Sequence, residues 1–338
     1  MVITFGEIMM RLSPPDNTRF MQATSFDITF GGGEANVSVS LSQLGVKAAH
    51  ATTFPDNDLG LAAKAFLAKH GVETHHIQYS GNRLGVYFFE NGSAMRPGKV
   101  VYDRADSSFA NLTPKDFNWD SILNGASWFH WTGITPAISQ AAADACLQAI
   151  QTANRLGITV SSDVNFRKNL WQYGKSVKEI MPQLVEGCDI IVCSVMDAEE
   201  IFDIKPLEIE SSQISNPFVS IAQQIMQRFP RVKKIITTRR ETISADNNRL
   251  TGIIYDGTEY TESQTIEITP IVDRIGGGDA FMAGFIYGSL HHYTTPDTLA
   301  FATAASALKH TIKGDVNLAT LSEIESLMKG NTTGRLIR

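Results

Sequence analysis

The chain has 338 residues, of which 43% are hydrophobic and 19% charged, and its formal net charge is -6. That much apolar material is enough for a sizeable core and excludes global disorder, while the acidic balance argues against a general nucleic-acid binder, which needs a basic patch to neutralise phosphates. An odd set of cysteines without C-x-x-C spacing (Cys146, Cys188, Cys193) argues against a disulfide framework or zinc site, and no run approaches the ~18 apolar residues of a membrane span, so the expectation is a soluble cytoplasmic protein with no membrane partner.

Residues 2–5 form a short apolar run before Gly6, as expected of a buried first strand. Residues 11–30 are mixed, carry Pro14-Pro15, and do not read as a core helix. A helix is predicted over 34–44 with Gly45 as its stop, then a strand over 46–54 and an Ala/Leu-rich helix over 59–70 closed by Gly71. The β-branched and aromatic stretches 85–89 and 99–102, with Asn91-Gly92 between them, predict a hairpin.

From there the pattern alternates. Strands are predicted at 128–131, 158–163, 189–193 and 234–238, and helices at 139–155, 177–184 and 218–229, which points to a parallel sheet covered by helices. Residues 253–260 and 264–268 are expected to pair antiparallel, and helices are expected over 280–290 and 298–311. There is no fixed-period repeat and no linker, so a single domain over 1–338 is expected. Segments of about 12–30 and 83–107 read as insertions that form a lid over the carboxyl edge of the sheet, where open α/β folds bind ligands.

The most informative segment runs from Asp273 to Phe285. Gly276, Gly277 and Gly278 let the backbone approach an anion closely, and a helix begins immediately after them. Its first N–H groups are unpaired and its dipole is positive at that end, which stabilises a phosphate. Asp279 lies at the same point, where it can take a proton from a hydroxyl attacking phosphorus; the plainer reading is a helix N-cap. The segment lacks the Lys-Ser/Thr ending of a Walker A loop and the spacing of a dinucleotide fingerprint. A second glycine cluster, Gly31-Gly32-Gly33-Glu34-Ala35-Asn36, also opens a helix, and Asn36 can bond a polyol.

Together the two segments resemble the paired motifs of the PfkB/ribokinase family of carbohydrate kinases. The first is similar to the family's Gly-Gly-x-x-x-Asn-x-Ala-x-x-x-x-x-Leu-Gly, with serines in place of alanines, and the second to Asp-x-x-Gly-x-Gly-Asp-x-Phe-x-x-Gly. Asp56-Asn57-Asp58-Leu59-Gly60 resembles the family's Asp-x-x-Gly turn. The resemblance implies a ribokinase-like three-layer α/β/α sandwich with a small β-sheet lid, ATP and Mg2+ as cofactors, and a homo-oligomer. It implies Asp279 as general base and Gly276, Gly277 and Gly278 as the anion hole.

The opening Gly6-Glu7-Ile8-Met9-Met10-Arg11-Leu12-Ser13-Pro14-Pro15 resembles the 2-keto-3-deoxygluconate (KDG) kinase branch, as do Val101-Tyr102-Asp103-Arg104, the stretch from Trp131 to Pro136 that includes Ile134, the stretch from Asp163 to Arg167, and Lys313-Gly314-Asp315. A sugar acid carries a carboxylate, which suits the planar fork of an arginine. Arg104 and Arg167 are the candidates for it, with Arg167 alternatively at the nucleotide phosphates or either one in an ordinary ion pair. Gly32, Gly33, Asn36, Tyr87, Tyr102, Ile134 and Asp315 are the remaining sugar-side candidates.

On the nucleotide side the candidates are Asn165, Ser194, Thr238, Arg239 and Thr303. Arginines at 239 and 240 stand where many relatives have a glycine, and Ser194 and Asp197 where relatives have Asn and Glu in a motif linked to magnesium. No protein metal site is expected: His75-His76 and His291-His292 are adjacent pairs whose side chains diverge. The competing readings are a 5-dehydro-2-deoxygluconate kinase or fructokinase, a non-catalytic sugar-binding regulator, and a Rossmann dehydrogenase, the last weakened by the absence of a glycine fingerprint after the first strand.

Overall fold

A computed structural model describes residues 1–207, 216–332 and 334. The strands are β1 (Val2–Phe5), β2 (Met9–Ser13), β3 (Asp27–Gly31), β4 (Ala48–Phe54), β5 (Ile77–Tyr79), β6 (Val86–Glu90), β7 (Lys99–Asp103), β8 (Trp128–Thr132), β9 (Thr159–Asp163), β10 (Ile190–Val192), β11 (Lys234–Thr242), β12 (Asn248–Tyr255), β13 (Tyr260–Glu262) and β14 (Ile266–Ile268). The helices are α1 (Gly33–Gln43), α2 (Asp58–Lys69), α3 (Trp119–Ile122), α4 (Ile134–Ile138), α5 (Gln140–Arg155), α6 (Val177–Val185), α7 (Val195–Phe202), α8 (Pro217–Arg228), α9 (Gly277–Leu290), α10 (Thr295–Lys309) and α11 (Leu321–Met328).

The large sheet runs β13-β12-β11-β10-β9-β8-β1-β4-β5, with β14 also on β12. From β11 to β5 all pairs are parallel; β12 then turns the edge antiparallel. Alternate residues of the central strands feed opposite layers, as a period of two demands. Ile3, Phe129, Ile191 and Ile235 pack under α5, α6, α7 and α8. Val2, Trp128, Ile190 and Ile236 pack under α1, α9, α10 and α11. The result is the three-layer α/β/α sandwich expected, and a separate four-stranded sheet, β3-β2-β6-β7, completes the molecule.

The segment that did not read as a core helix holds strands instead, β2 and β3. Three local details depart from the sequence reading. The β6–β7 connection is longer than an Asn-Gly turn: Ser93 and Arg96 bridge across it, and Ala94 takes φ 48°. Strand β11 continues past Thr238 to Thr242 because β12 pairs with its whole length. The antiparallel segment predicted over 253–260 starts at Asn248 and breaks at Asp256, whose Oδ1 accepts the N–H groups of Thr258 and Glu259 and closes a turn.

Among the described residues no helix is long and apolar enough to cross a membrane. Cys146, Cys188 and Cys193 are free and buried in the core.

Candidate active site

The parallel strands end at a cleft of about 740 Å³. Its floor is the glycine run that opens α9, with Gly276 as the N-cap. Gly276 has φ 81°, and a Cβ there would fall 1.8 Å from the Asp315 carbonyl oxygen, so only glycine fits. The first N–H groups of the 14-residue α9, which have no intrahelical partner, belong to residues that line the same space.

Asp279 sits in that first turn and lines the cleft. Asn36, from the first turn of α1, donates Nδ2 to Asp279 Oδ2 at 2.7 Å, which leaves Oδ1 without a partner among the described residues. Burial pushes the Asp279 carboxyl up to about 7; the Asn36 bond opposes this, the Glu34 and Asp315 carboxylates add to it, and Arg167 opposes it. Asp163, at the end of β9, is likewise raised to about 7, first by burial and then by Asp197 and Asp279. Carboxylates so placed repel one another across the cleft, and a cation between them would relieve that repulsion.

Glu34 anchors the start of α1. Its Oε1 accepts from Thr132 N (2.9 Å), Thr132 Oγ1 (2.8 Å) and Thr135 Oγ1 (2.7 Å), joining α1 to the end of β8. It is 2% exposed, and burial raises its carboxyl above the ordinary value.

Of the sugar-side candidates, Gly32, Gly33, Asn36, Tyr87, Tyr102 and Ile134 line the cleft, as do Arg167 and Asp315. Tyr87 donates its hydroxyl to Asp315. Arg104 does not line the cleft: its Nε donates to Glu7 Oε2 at 2.9 Å, its Nη2 bonds the same oxygen, and Ser107 donates to the other. Glu7 is buried and Arg104 largely so, their side chains 2% and 10% exposed, and the guanidinium is engaged in the ion pair.

The nucleotide-side candidates divide. Asn165, Ser194, Thr238 and the glycine run line the cleft. Ser194, Thr237 and Thr238 also line an adjoining pocket of about 580 Å³ walled by Phe218, Ile253 and Tyr260. Arg239 faces that second pocket and is held by Glu262 through two bonds of 2.8 and 2.7 Å. Arg240, one residue on, faces the cleft with Arg167 and Arg274. Thr303 lines neither space; it is fully buried and bonds Leu299 O at 2.8 Å and Ser263 Oγ at 3.1 Å.

The sequence reading therefore missed Arg240, Asp163 and Glu34. Strand alternation shows that Arg239 and Arg240 point to opposite sides, but which side is the cleft depends on the pairing of β11 with β12.

Compared with known proteins, residues 1–320 match the model of the pfkB family carbohydrate kinases. The chain belongs to that family. It is 32% identical to the 2-dehydro-3-deoxygalactonokinase of Haloferax volcanii, covering 98% of both chains. A crystal structure of 2-dehydro-3-deoxygluconokinase from Thermotoga maritima superposes with a TM-score of 0.91 at 41% identity, over 97% of this chain and 98% of that one. A pfkB family carbohydrate kinase from Listeria grayi gives 0.90 at 36% identity, over 97% and 99%. The protein is thus a ribokinase-like carbohydrate kinase, and its similarity to these relatives spans the large sheet, the small sheet and the cleft between them. Among the described residues no group of three or more His, Cys, Asp or Glu could hold a metal ion by itself.

Proposed function

We propose that this kinase transfers the γ-phosphoryl group of ATP to a hydroxyl of a sugar acid, foremost 2-keto-3-deoxygluconate, giving 2-keto-3-deoxy-6-phosphogluconate and ADP. The observation that carries the reading is Asp279: a carboxylate held at one oxygen by Asn36 and without a partner at the other among the described residues, beside the first N–H groups of α9, which have no intrahelical partner. Its free Oδ1 takes the proton as the sugar oxygen bonds to phosphorus and the bond to ADP breaks. The N–H groups of the glycine run stabilise the negative charge on the transferring group.

The sugar acid is favoured over a neutral sugar by Arg167, a cleft cation whose one hydrogen bond among the described residues is a long contact to the Phe166 carbonyl (3.3 Å), and by the sugar-acid kinases among the relatives. The pocket walled by Phe218, Ile253 and Tyr260 suits a purine base, and it joins the cleft at Ser194 and Thr238, so triphosphate and base have a continuous path. Asp163 and Asp197, whose mutual repulsion invites a cation, would face magnesium carried on the triphosphate. Bound there, the metal would neutralise charge on the phosphate oxygens. The small sheet carries Tyr87 and Tyr102 over the cleft and acts in this reading as a lid.

An ADP-release assay with Mg-ATP tests this against KDG, 2-keto-3-deoxygalactonate, 5-dehydro-2-deoxygluconate, fructose, ribose and gluconate. Turnover led by a 2-keto-3-deoxy sugar acid is expected. Turnover led by fructose or ribose would overturn the sugar-acid assignment.

A further inference from the structure

Arg11 has no part in the mechanism above. It lies on β2, an inner strand of the small sheet, opposite Tyr87 of β6. It is 2% exposed. Its Nη1 donates to Asp315 Oδ1 at 2.7 Å, its Nη2 to Asp273 Oδ2 at 2.7 Å, and its Nε to Ser13 Oγ at 2.8 Å. The guanidinium also lies over the Phe89 ring, 4.5 Å from its centre.

The two carboxylates serve different sides of the cleft. Asp315 lines it and accepts the Tyr87 hydroxyl on its second oxygen. Asp273 accepts the N–H of Ile275 on one oxygen and that of Gly314 on the other, each at 3.0 Å. It thereby shapes both the turn into Gly276 and the turn before Asp315. A guanidinium this deeply buried is tolerated only with its partners in place, and a lysine could not fork to both.

We propose that Arg11 is a positioning residue that holds Asp315 aimed at the sugar and, through Asp273, fixes the anion-binding turn, so that one guanidinium sets both sides of the cleft. The inference rests on the sugar-kinase reading above. The charged and titratable groups around Asp315 are Arg11 and Tyr87 from the small sheet, Asp273 from the loop before α9, Lys309 of α10 and Asp279 of α9. Burial raises the Asp315 carboxyl, and Arg11 is the largest influence opposing that rise. Lys309, itself fully buried, donates to Ile312 O at 3.0 Å and does not bond either carboxylate.

Arg11→Met keeps most of the volume and removes the charge; Arg11→Lys keeps the charge and removes the fork. Steady-state kinetics from pH 6 to 9 use the sugar that the wild-type enzyme turns over best. In Arg11→Met at pH 7 the KM for sugar rises by about 10-fold or more, the loss of a charged hydrogen bond, and kcat falls. The KM for ATP moves far less. Arg11 is the largest influence opposing the rise of the Asp315 carboxyl, so the sugar KM of Arg11→Met depends on pH more steeply than that of the wild type. Arg11→Lys recovers the wild-type pH profile but not the full kcat. Adding Arg11→Met to Asp315→Asn raises the sugar KM no further.

Unchanged sugar KM and kcat in a folded Arg11→Met protein, a sugar-KM loss with the wild-type pH dependence, or sugar-KM losses additive with Asp315→Asn would each overturn the proposal. If circular dichroism shows Arg11→Met to be unfolded, Arg11→Lys with and without Asp315→Asn decides instead: coupling supports the role and additivity refutes it. A wild-type enzyme led by a neutral sugar would overturn the sugar-acid reading alone, and the Arg11 comparison then runs with that sugar.

Discussion

Asp279→Asn should stabilise the fold while it removes activity. The carboxyl stands at about 7 against an ordinary 3.8, chiefly because burial penalises its charge. In the unfolded chain it ionises freely, so from about pH 4 to pH 7 the unfolded state gains relative to the folded one, and above pH 7 the penalty is constant. About three pH units at 1.36 kcal/mol each is about 4 kcal/mol, or roughly 2–4 kcal/mol once the cleft's water is allowed for. Asparagine has the same shape, cannot ionise, and still offers an oxygen to the Asn36 amide. Urea unfolding of the ligand-free proteins between pH 5 and 8.5 should therefore show the variant more stable at pH 8, with the advantage shrinking towards pH 5. Its kcat should fall by about 10²–10⁴-fold, with ATP affinity little changed. Equal stability at pH 8, or an advantage independent of pH, would refute the argument from burial; near-normal turnover would refute the base.

The remaining predictions concern neighbouring groups. Gly276→Ala puts a Cβ against the Asp315 carbonyl at a positive φ and should cost about 1–3 kcal/mol in urea unfolding, together with most of the activity. Arg167→Gln removes a charge that holds the Asp279 carboxyl down; the acid limb of kcat/KM should move to higher pH, and the KM for a sugar acid should rise. Arg104→Ala leaves Glu7 buried with its ion-pair partner gone and should cost about 3 kcal/mol, measurable by denaturation and smaller in an Arg104→Ala/Glu7→Gln double variant.

The alternation of apolar strands and helices from residue 128 onward, the stops at Gly45 and Gly71, and the two glycine-rich helix starts were legible because each is a local pattern read by periodicity or backbone freedom. On those grounds alone the chain reads as an α/β fold with an anion-binding helix start, and the placement of Asp279 beside Gly276–Gly278 follows from adjacency along the chain. Non-local matters were not legible. Strands β2 and β3 gain their identity only by pairing with each other and with β6. The register of β11 with β12 decides that Arg240 rather than Arg239 faces the cleft. Arg11 and Asp315 lie 304 positions apart in the chain and meet only because the small sheet closes on the loops around α9. Likewise Arg104 is drawn to Glu7, 97 residues away, by burial that no sequence window contains. Sequence determined which elements form and which residues share a turn; the tertiary structure decided which charges face one another, because charge pairing depends on distance and burial that packing alone supplies.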